Sequence, residues 1–176
     1  MTGDTQIHQL WRIRLSLGRV HRVEVPSAAR ALCTLPHVDY EDAFLVETGP
    51  VQDRTAEQWA RTVFEDAPAM TRIALQRGWS TIGLQLAPNG SDRFVLGWEV
   101  RHSTPDFVLL GASSRQGLPA ELLFERQQRK LLFATFVQHE NQAARAMWAG
   151  VEPVHRPIVR FILEQASRRD RLRRQP

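Results

Sequence analysis

Polar side chains stand at alternate positions among apolar residues in several segments whose pattern is typical of β-strands. Because alternate residues of a strand lie on one face, these groups would line any cavity that the apolar face encloses. Two of them are histidines, whose pKa near neutrality suits general acid or base catalysis. The four polar residues are Tyr40, His102, Thr135 and His139.

Each of these residues also has a purely structural interpretation. His102 and His139 come near the ends of their segments, where a histidine is often simply solvated. The Thr135 side chain could be a buried hydroxyl group that makes its hydrogen bonds within the core. Asp42 shares the predicted face of Tyr40 and would lie either at the mouth of the cavity or in solvent. Both interpretations stay open at this point.

Two tryptophans complete the set of candidate ligand-binding residues. Trp98 and Trp148 are first of all expected in the core, because large aromatic side chains dominate core burial, but either could also form a wall of a pocket. His155 and Arg156 stand between two prolines and could hold an anion at a helix start or pair with a carboxylate.

The motifs of the common catalytic and metal-binding classes are missing from the sequence. It contains no phosphate-binding glycine loop, no Gly-x-Ser-x-Gly elbow and no Gly-x-Gly-x-x-Gly fingerprint. His139-Glu140 begins like a zinc-protease helix, but Ala143 stands where the second histidine is needed. Cys33 is the only cysteine and can form neither an internal disulfide nor a thiolate metal site. We therefore predict no metal and no cofactor.

Positive charge is concentrated at the end of the sequence. The formal net charge is +4, and five arginines lie within residues 167–176. Such a cluster can neutralise phosphates, but no nucleic-acid motif or stacking aromatic accompanies it, so a specific nucleic-acid partner is not expected. The segment has almost no apolar anchor, and its removal is predicted to leave stability nearly unchanged.

The composition indicates one folded domain. The chain has 176 residues, of which 43% are hydrophobic, and this is enough for a sizeable core. No apolar run approaches the roughly 20 residues that a transmembrane helix needs, and no signal peptide is recognisable. We expect a soluble cytoplasmic protein. The sequence does not indicate its oligomeric state.

The first half of the chain is predicted to form short elements. Residues 21–25 and 40–47 alternate as strands, and a short helix over residues 28–35 separates them. Thr55 and Gln58 have the spacing of a capping box, which predicts the first of two helices.

The second half is predicted to form an antiparallel meander and one long helix. Asn89-Gly90 is a strong hairpin signal. Asn141 can cap the final helix, and Pro153 and Pro157 are expected to kink or split it, because proline lacks an N–H and clashes with the preceding turn. The predicted strands are residues 82–86, 94–102, 108–112, 120–125 and 131–139.

This order of elements predicts an α+β fold, in which a curved antiparallel sheet of about six strands wraps around the long C-terminal helix. A sheet and a single helix rarely fill the space between them completely. The cavity that remains would suit an apolar molecule.

Four stretches also carry a resemblance to a known family: Asp39–Phe44, Val95–Trp98, Pro105–Leu110 and, most clearly, Trp148–Ile158. With them the sequence resembles a family of uncharacterised domains from high-GC bacteria, placed in the START-like (SRPBCC) superfamily of polyketide cyclases and lipid-transfer proteins. The resemblance implies a helix-grip fold over residues 21–166 with an apolar pocket, and it carries over no catalytic residue. Residues 1–20 would form an N-terminal arm and residues 167–176 a basic tail.

Three functions of different classes stay open. The first is a binding module that holds a small apolar or aromatic molecule in the cavity. The second is a cyclase- or dehydratase-like enzyme acting on a polyketide-type substrate, which would need His102 or His139 in the pocket beside a carboxylate or hydroxyl. The third is an interaction protein whose cavity is filled by side chains and whose arm or tail captures a partner.

Overall fold

The fold is described from a computed structural model of the chain. The structure describes residues 20–48, 54–88 and 90–174. The predicted N-terminal arm therefore lies, apart from Val20, outside the described residues, and so does Asn89 of the predicted hairpin turn.

Seven antiparallel strands form one open sheet in the described part of the chain, with the order β1-β2-β7-β6-β5-β4-β3. Strands β3 to β7 form the predicted meander, and β2 pairs with β7 at its end. The structure confirms the α+β class, with seven strands where about six were predicted. Their bounds are β1 Val20–Val23, β2 Tyr40–Glu47, β3 Phe94–Val95, β4 Trp98–Ser103, β5 Phe107–Ala112, β6 Ala120–Gln127 and β7 Lys130–Val137.

Four helices accompany the sheet: α1 Ser27–Arg30, α2 Ala56–Phe64, α3 Ala69–Thr81 and α4 Gln142–Arg174. The predicted capping box is present at the start of α2, where the Thr55 hydroxyl accepts from the Gln58 N–H at 3.2 Å and the Gln58 side chain accepts from the Thr55 N–H at 2.8 Å. Asn141 caps α4, because its side-chain oxygen accepts from the backbone N–H of Ala144 at 2.8 Å. Both predicted helix starts are confirmed.

Helix α4 runs without a break through both prolines, so of the two expected effects, a kink or a split, the split does not occur. Pro153 and Pro157 are four residues apart and therefore lie on the same face of the helix. Both are exposed, so the carbonyl groups that lose their intrahelical hydrogen bonds face water. The long helix keeps its packed face continuous on the other side.

The two faces of the sheet have separate cores. Side chains such as Phe44, Leu110 and Phe133 pack toward α2, α3 and α4, whereas Leu109, Leu132 and other residues on the opposite face form a second cluster. Val25, Ala29 and the segment that follows α1 cover this second face. Both faces of the sheet are therefore covered, whereas the predicted arrangement provided only for the face that wraps around the long helix.

A tight hairpin divides the predicted strand over residues 94–102 into β3 and β4. Val95 pairs with Trp98, and the two residues between them have positive φ angles, 47° at Leu96 and 94° at Gly97, as a type I′ turn requires. Leucine is strained in this conformation by about 1–2 kcal/mol. Leu96 is held there by burial of its side chain and by its N–H, which donates to Glu65 at 3.2 Å.

Residues 82–86, which alternate in the sequence, do not form a strand. Helix α3 continues to Thr81, and Leu84 makes only an isolated bridge to Ser114. The alternation arises because Leu84 is buried in the core while its neighbours are partly or fully exposed. The segment pairs only locally with the residues that follow β5, where Gln85 N–H donates to the Ser113 carbonyl at 2.8 Å and Arg115 N–H donates to that of Gly83 at 3.0 Å.

A bulge in β4 reverses the direction of the side chains after Val100. Val100 pairs with Leu110, on the helix-covered face, whereas His102 pairs with Leu109, on the opposite face. The extra residue interrupts the period of two. The prediction that His102 shares a face with Trp98 and Val100 is therefore wrong.

The arginine-rich segment forms the end of α4 and docks against the region of α2. Arg169 donates to the carbonyl oxygen of Thr62 at 3.2 Å, and Arg173 lies 3.0 Å from Asp66. Asp170 is only 3% exposed and lies 2.8 Å from Arg54. The segment thus has a polar anchor that the sequence pattern did not indicate, because its partners lie far away in the sequence.

Deletion of residues 168–176 is accordingly expected to lower the free energy of unfolding by about 2 kcal/mol or more, since hydrogen bonds to charged groups each contribute about 1.5–3 kcal/mol. Urea denaturation of the full and shortened chains measures the difference. Leu172→Ala, at a side chain in the same segment that is 70% exposed, is the control and should leave the midpoint unchanged. Equal midpoints for the full and shortened chains would show that the docking contributes nothing.

Candidate functional site

A cavity of about 760 Å³ lies between α3, α4 and the helix-covered face of the sheet. Its volume is in the range of small-molecule sites. The walls are mostly apolar, and they include Leu75, Trp79, Trp98, Leu122, Trp148 and Ile162. Such walls favour an apolar occupant.

Large apolar side chains stand exposed around the mouth of the cavity. Met70 comes from α3, and Val154, Ile158 and Phe161 come from α4; each of them exposes at least 46% of its surface. Proteins rarely leave a group of large apolar side chains in water without a functional reason. The mouth thus offers an apolar entry between the two helices.

A polar cluster forms one part of the cavity wall. Thr135 of β7 and His155 of α4 line the cavity, and Asp42 of β2 lies behind them, only 2% exposed. Asp42 and Thr135 are directly opposite each other in the β2–β7 register. The Tyr40 hydroxyl donates to Asp42 Oδ2 at 2.6 Å, and His155 Nε2 lies 3.4 Å from the same oxygen.

Helix α4 is tied to β2 through this cluster. Arg156 Nε donates to the Tyr40 hydroxyl at 3.1 Å, and its guanidinium also donates to Glu152 at 2.6 Å. The Trp148 ring lies 4.7 Å from the Tyr40 ring and 5.3 Å from that of His155, centroid to centroid. The polar cluster is therefore held rigidly, as a binding site requires.

The surroundings determine the charge of the two acidic groups. Burial alone would raise the pKa of Asp42, but the neighbouring His155 imidazole and the hydrogen bond from Tyr40 outweigh it, and the pKa of Asp42 lies below its ordinary value. Burial and the neighbouring Asp42 carboxylate raise the pKa of Tyr40. At neutral pH the cluster thus contains a buried carboxylate and a protonated phenol.

Several buried polar atoms of the cluster lack a hydrogen bond from any residue that the structure describes. They are Asp42 Oδ1, Thr135 Oγ1, Trp148 Nε1 and His155 Nε2, the last of which lies at ion-pair distance from Asp42 without hydrogen-bond geometry. The Thr135 hydroxyl helps to lower the pKa of Asp42, but no hydrogen bond of normal geometry uses its oxygen. Buried polar atoms without partners are rare and unfavourable.

The structure places the six predicted ligand-binding residues in three groups. Trp98, Thr135 and Trp148 line the cavity. Tyr40 and His139 lie behind Trp148, with the His139 ring centroid 6.4 Å from that of Trp148. His102 is exposed on the other side of the sheet, where its ring packs 4.9 Å from the Phe107 ring, and it is not brought together with the other five.

Asp42 has a different place from the two predicted for it, since it is buried behind the cavity wall and lies neither at the mouth nor in solvent. His155 lies against its carboxylate, in agreement with the pairing interpretation of His155. A signal for His155 was present in the sequence, because it follows Trp148 by seven residues and so lies on the same helix face. The kink or split expected at Pro153 would have ended the face that the two residues share, so the sequence pattern did not place His155 beside Trp148.

The described ranges contain neither a group of His, Cys, Asp and Glu side chains that could hold a metal ion nor a helix long and apolar enough to cross a membrane.

Comparison with known proteins does not place the chain in a family. No family model matches it, and no curated protein is similar to it. One solved structure, that of PA94 from Pseudomonas aeruginosa, a proposed regulator of unknown function, is similar at 13% identity over 81% of each chain, with a TM-score of 0.23. A TM-score this low carries no argument about fold or function.

Proposed function

We propose that this protein binds a small apolar or aromatic molecule in the cavity between α3, α4 and the sheet. The observation that carries the proposal is the apolar cavity of about 760 Å³ with exposed apolar side chains at its mouth. Transfer of apolar ligand surface from water into such walls contributes roughly 25 cal/mol per Å². The polar cluster then orients the molecule.

The assignment to a START-like helix-grip fold belongs to the same proposal. It is supported by the order of strand, helices, five-stranded meander and long C-terminal helix, and by the position of the cavity under that helix. The sheet has seven strands rather than the predicted number of about six, and β1, which matches the strand predicted over residues 21–25, lies at its edge beyond β2.

Native mass spectrometry of the freshly purified protein tests the proposal. The expected result is a stoichiometric adduct that denaturation releases and small-molecule analysis identifies as apolar. A clean ligand-free mass that stays unchanged after incubation with a cell lipid extract would contradict it.

A matched pair of variants shows whether the adduct occupies this cavity. Ala120 is buried and lines the cavity, whereas Ala143 is exposed at the start of α4. Ala120→Phe should reduce or abolish the adduct, because the larger ring fills part of the cavity from the sheet side. Ala143→Phe should retain it. An adduct present equally in both variants would place the molecule elsewhere.

Proton-transfer catalysis in the same cavity is a second candidate function. It is supported by His155, which lines the cavity with its Nε2 atom 3.4 Å from the Asp42 carboxylate. A carboxylate that orients a histidine is a common acid–base arrangement, and here His155 would take the role first considered for His102 or His139. If the released molecule is of polyketide type, the protein should convert it to a cyclised or dehydrated product. His155→Ala should abolish that conversion, and His21→Ala, at an exposed site on β1, should not.

The third alternative, an interaction protein whose cavity is filled by side chains, has less support. The space between α3, α4 and the sheet is open rather than filled, and the arginines considered for partner capture include Arg169 and Arg173, which contact the region of α2.

A further inference from the structure

We infer that the cavity selects apolar molecules that carry a hydroxyl group and discriminates against those that carry a carboxylate. This inference rests on the proposed binding function, since it specifies the chemistry of the occupant of the same cavity. It is carried by the polar cluster of Asp42, Thr135, Trp148 and His155.

The cluster offers both a donor and acceptors that the described residues do not use. Trp148 Nε1 can only donate and the Thr135 hydroxyl can do either, and both residues line the cavity. Asp42 Oδ1 is an ionised acceptor that lies behind this wall, on the strand next to Thr135. Asp42 and Thr135 are each 2% exposed and Trp148 is 5% exposed, so bulk solvent does not readily satisfy them. A hydroxyl group donates one hydrogen bond and accepts others, and it therefore complements this mixture.

The charge of the cluster explains why a carboxylate would be disfavoured. A ligand carboxylate at Thr135 and His155 would stand beside the buried Asp42 carboxylate, and like charges in a site shielded from water repel strongly. Neither neighbouring cation compensates. The Arg156 guanidinium already donates to the Tyr40 hydroxyl and to Glu152, and the charge of His155 is already offset by Asp42, whose Oδ2 lies 3.4 Å from His155 Nε2.

An ammonium head group is less suitable than a hydroxyl as well. The charge of Asp42 is already stabilised by Tyr40 and His155, and the positive charge of Arg156 lies immediately behind Tyr40. An ammonium ion would also lose more hydration energy than an alcohol on entering an apolar cavity.

Titration of the wild-type protein with 1-decanol, decanoate and decylamine at neutral pH tests the inference. Trp79, Trp98 and Trp148 line the cavity, so intrinsic fluorescence reports binding directly. We expect the Kd of 1-decanol to be at least about tenfold lower than that of decanoate and lower than that of decylamine. Equal affinities, or tighter binding of either charged compound, would overturn the inference.

Two variants assign the selectivity to the cluster. In Asp42→Asn the ratio of the decanoate and decanol Kd values should fall to less than about threefold, because the like charge is gone. Asp106→Asn, which changes a carboxylate paired with Arg126 on the surface, should leave the ratio unchanged.

Should Asp42→Asn fail to fold, Thr135→Val gives the same information, with decanol binding weakened about five- to tenfold and decanoate binding almost unaltered. An unchanged ratio in Asp42→Asn, or unchanged decanol binding in Thr135→Val, would remove the cluster from the explanation.

Failure of the inference and failure of the proposed function give different results. If all three compounds bind with similar Kd values, the cavity binds apolar molecules without selecting the head group, and only the inference fails. If none of the three changes the fluorescence and the purified protein carries no apolar adduct, the proposed function itself fails.

Discussion

Replacement of Trp148 by alanine is expected to lower the free energy of unfolding by about 3–5 kcal/mol. The side chain is 5% exposed and packs against the rings of Tyr40 and His155, so it holds the N-terminal part of α4 against β2. Its loss removes buried apolar surface and leaves a void that the rigid neighbouring strand cannot close.

Equilibrium denaturation in urea measures this effect. Phe161→Ala is the matched control, because Phe161 also stands on α4 and lines the cavity but is 51% exposed, and its loss should cost much less. A loss below about 1 kcal/mol for Trp148→Ala would show that this side chain is not a core residue.

The second large effect is expected on the opposite face of the sheet, at the ion pair of Arg101 and Glu121. Glu121 is completely buried, and besides Arg101 it is contacted by the hydroxyl and the backbone N–H of Thr34, the latter at 2.8 Å. Arg101→Ala should lower the free energy of unfolding by about 3 kcal/mol, because it leaves a buried carboxylate without its cation. The value is at the low end of the usual range, since the Arg101 side chain is 30% exposed.

Two further variants separate this electrostatic effect from a simple loss of packing. In the background of Glu121→Gln, which removes the buried charge, Arg101→Ala should cost much less, and the double-mutant cycle gives the coupling. Gly111→Ala should reproduce most of the loss although it removes no charge, because its Cβ would occupy the position of the Arg101 guanidinium where that side chain crosses β5. Strict additivity of Arg101→Ala and Glu121→Gln would contradict the proposed coupling.

Much of the architecture could be predicted because local patterns and tertiary structure agree. The alternation in β2 places Tyr40 and Phe44 on one face, and the capping signals at Thr55 and Asn141 mark real helix starts. These are short-range signals, and nothing elsewhere in the chain opposes them.

The remaining features depend on contacts that a local pattern does not contain. Leucine is not a residue that favours a type I′ turn, so the hairpin at Leu96-Gly97 is imposed by burial of Leu96 and by the distant Glu65. The bulge at Arg101 likewise brings its guanidinium to Glu121 on β6, two strands away. It also moves His102 away from the cavity, so the same feature explains the failure of one site prediction.

In the candidate site, too, some residues could be placed from local patterns and others depend on long-range contacts. Trp98, Thr135 and Trp148 could be assigned to the cavity side because each belongs to a clear apolar row. The pairing of Asp42 with His155 could not be predicted in this way. It requires that the helix continues through Pro153 and that it packs against a strand more than a hundred residues earlier in the sequence.

The position of Asp42 and Thr135 on neighbouring strands also has a consequence for the order of folding. The meander from β3 to β7 is made of hairpins close in sequence, whereas β2 pairs with β7 across roughly 90 residues, and contacts that close long loops form slowly. We expect the meander to assemble first and β2 to dock later. The apolar walls from β4, β6 and β7 would then exist before Asp42 arrives beside Thr135, so the selectivity that we propose for the cavity would be the last property that folding completes.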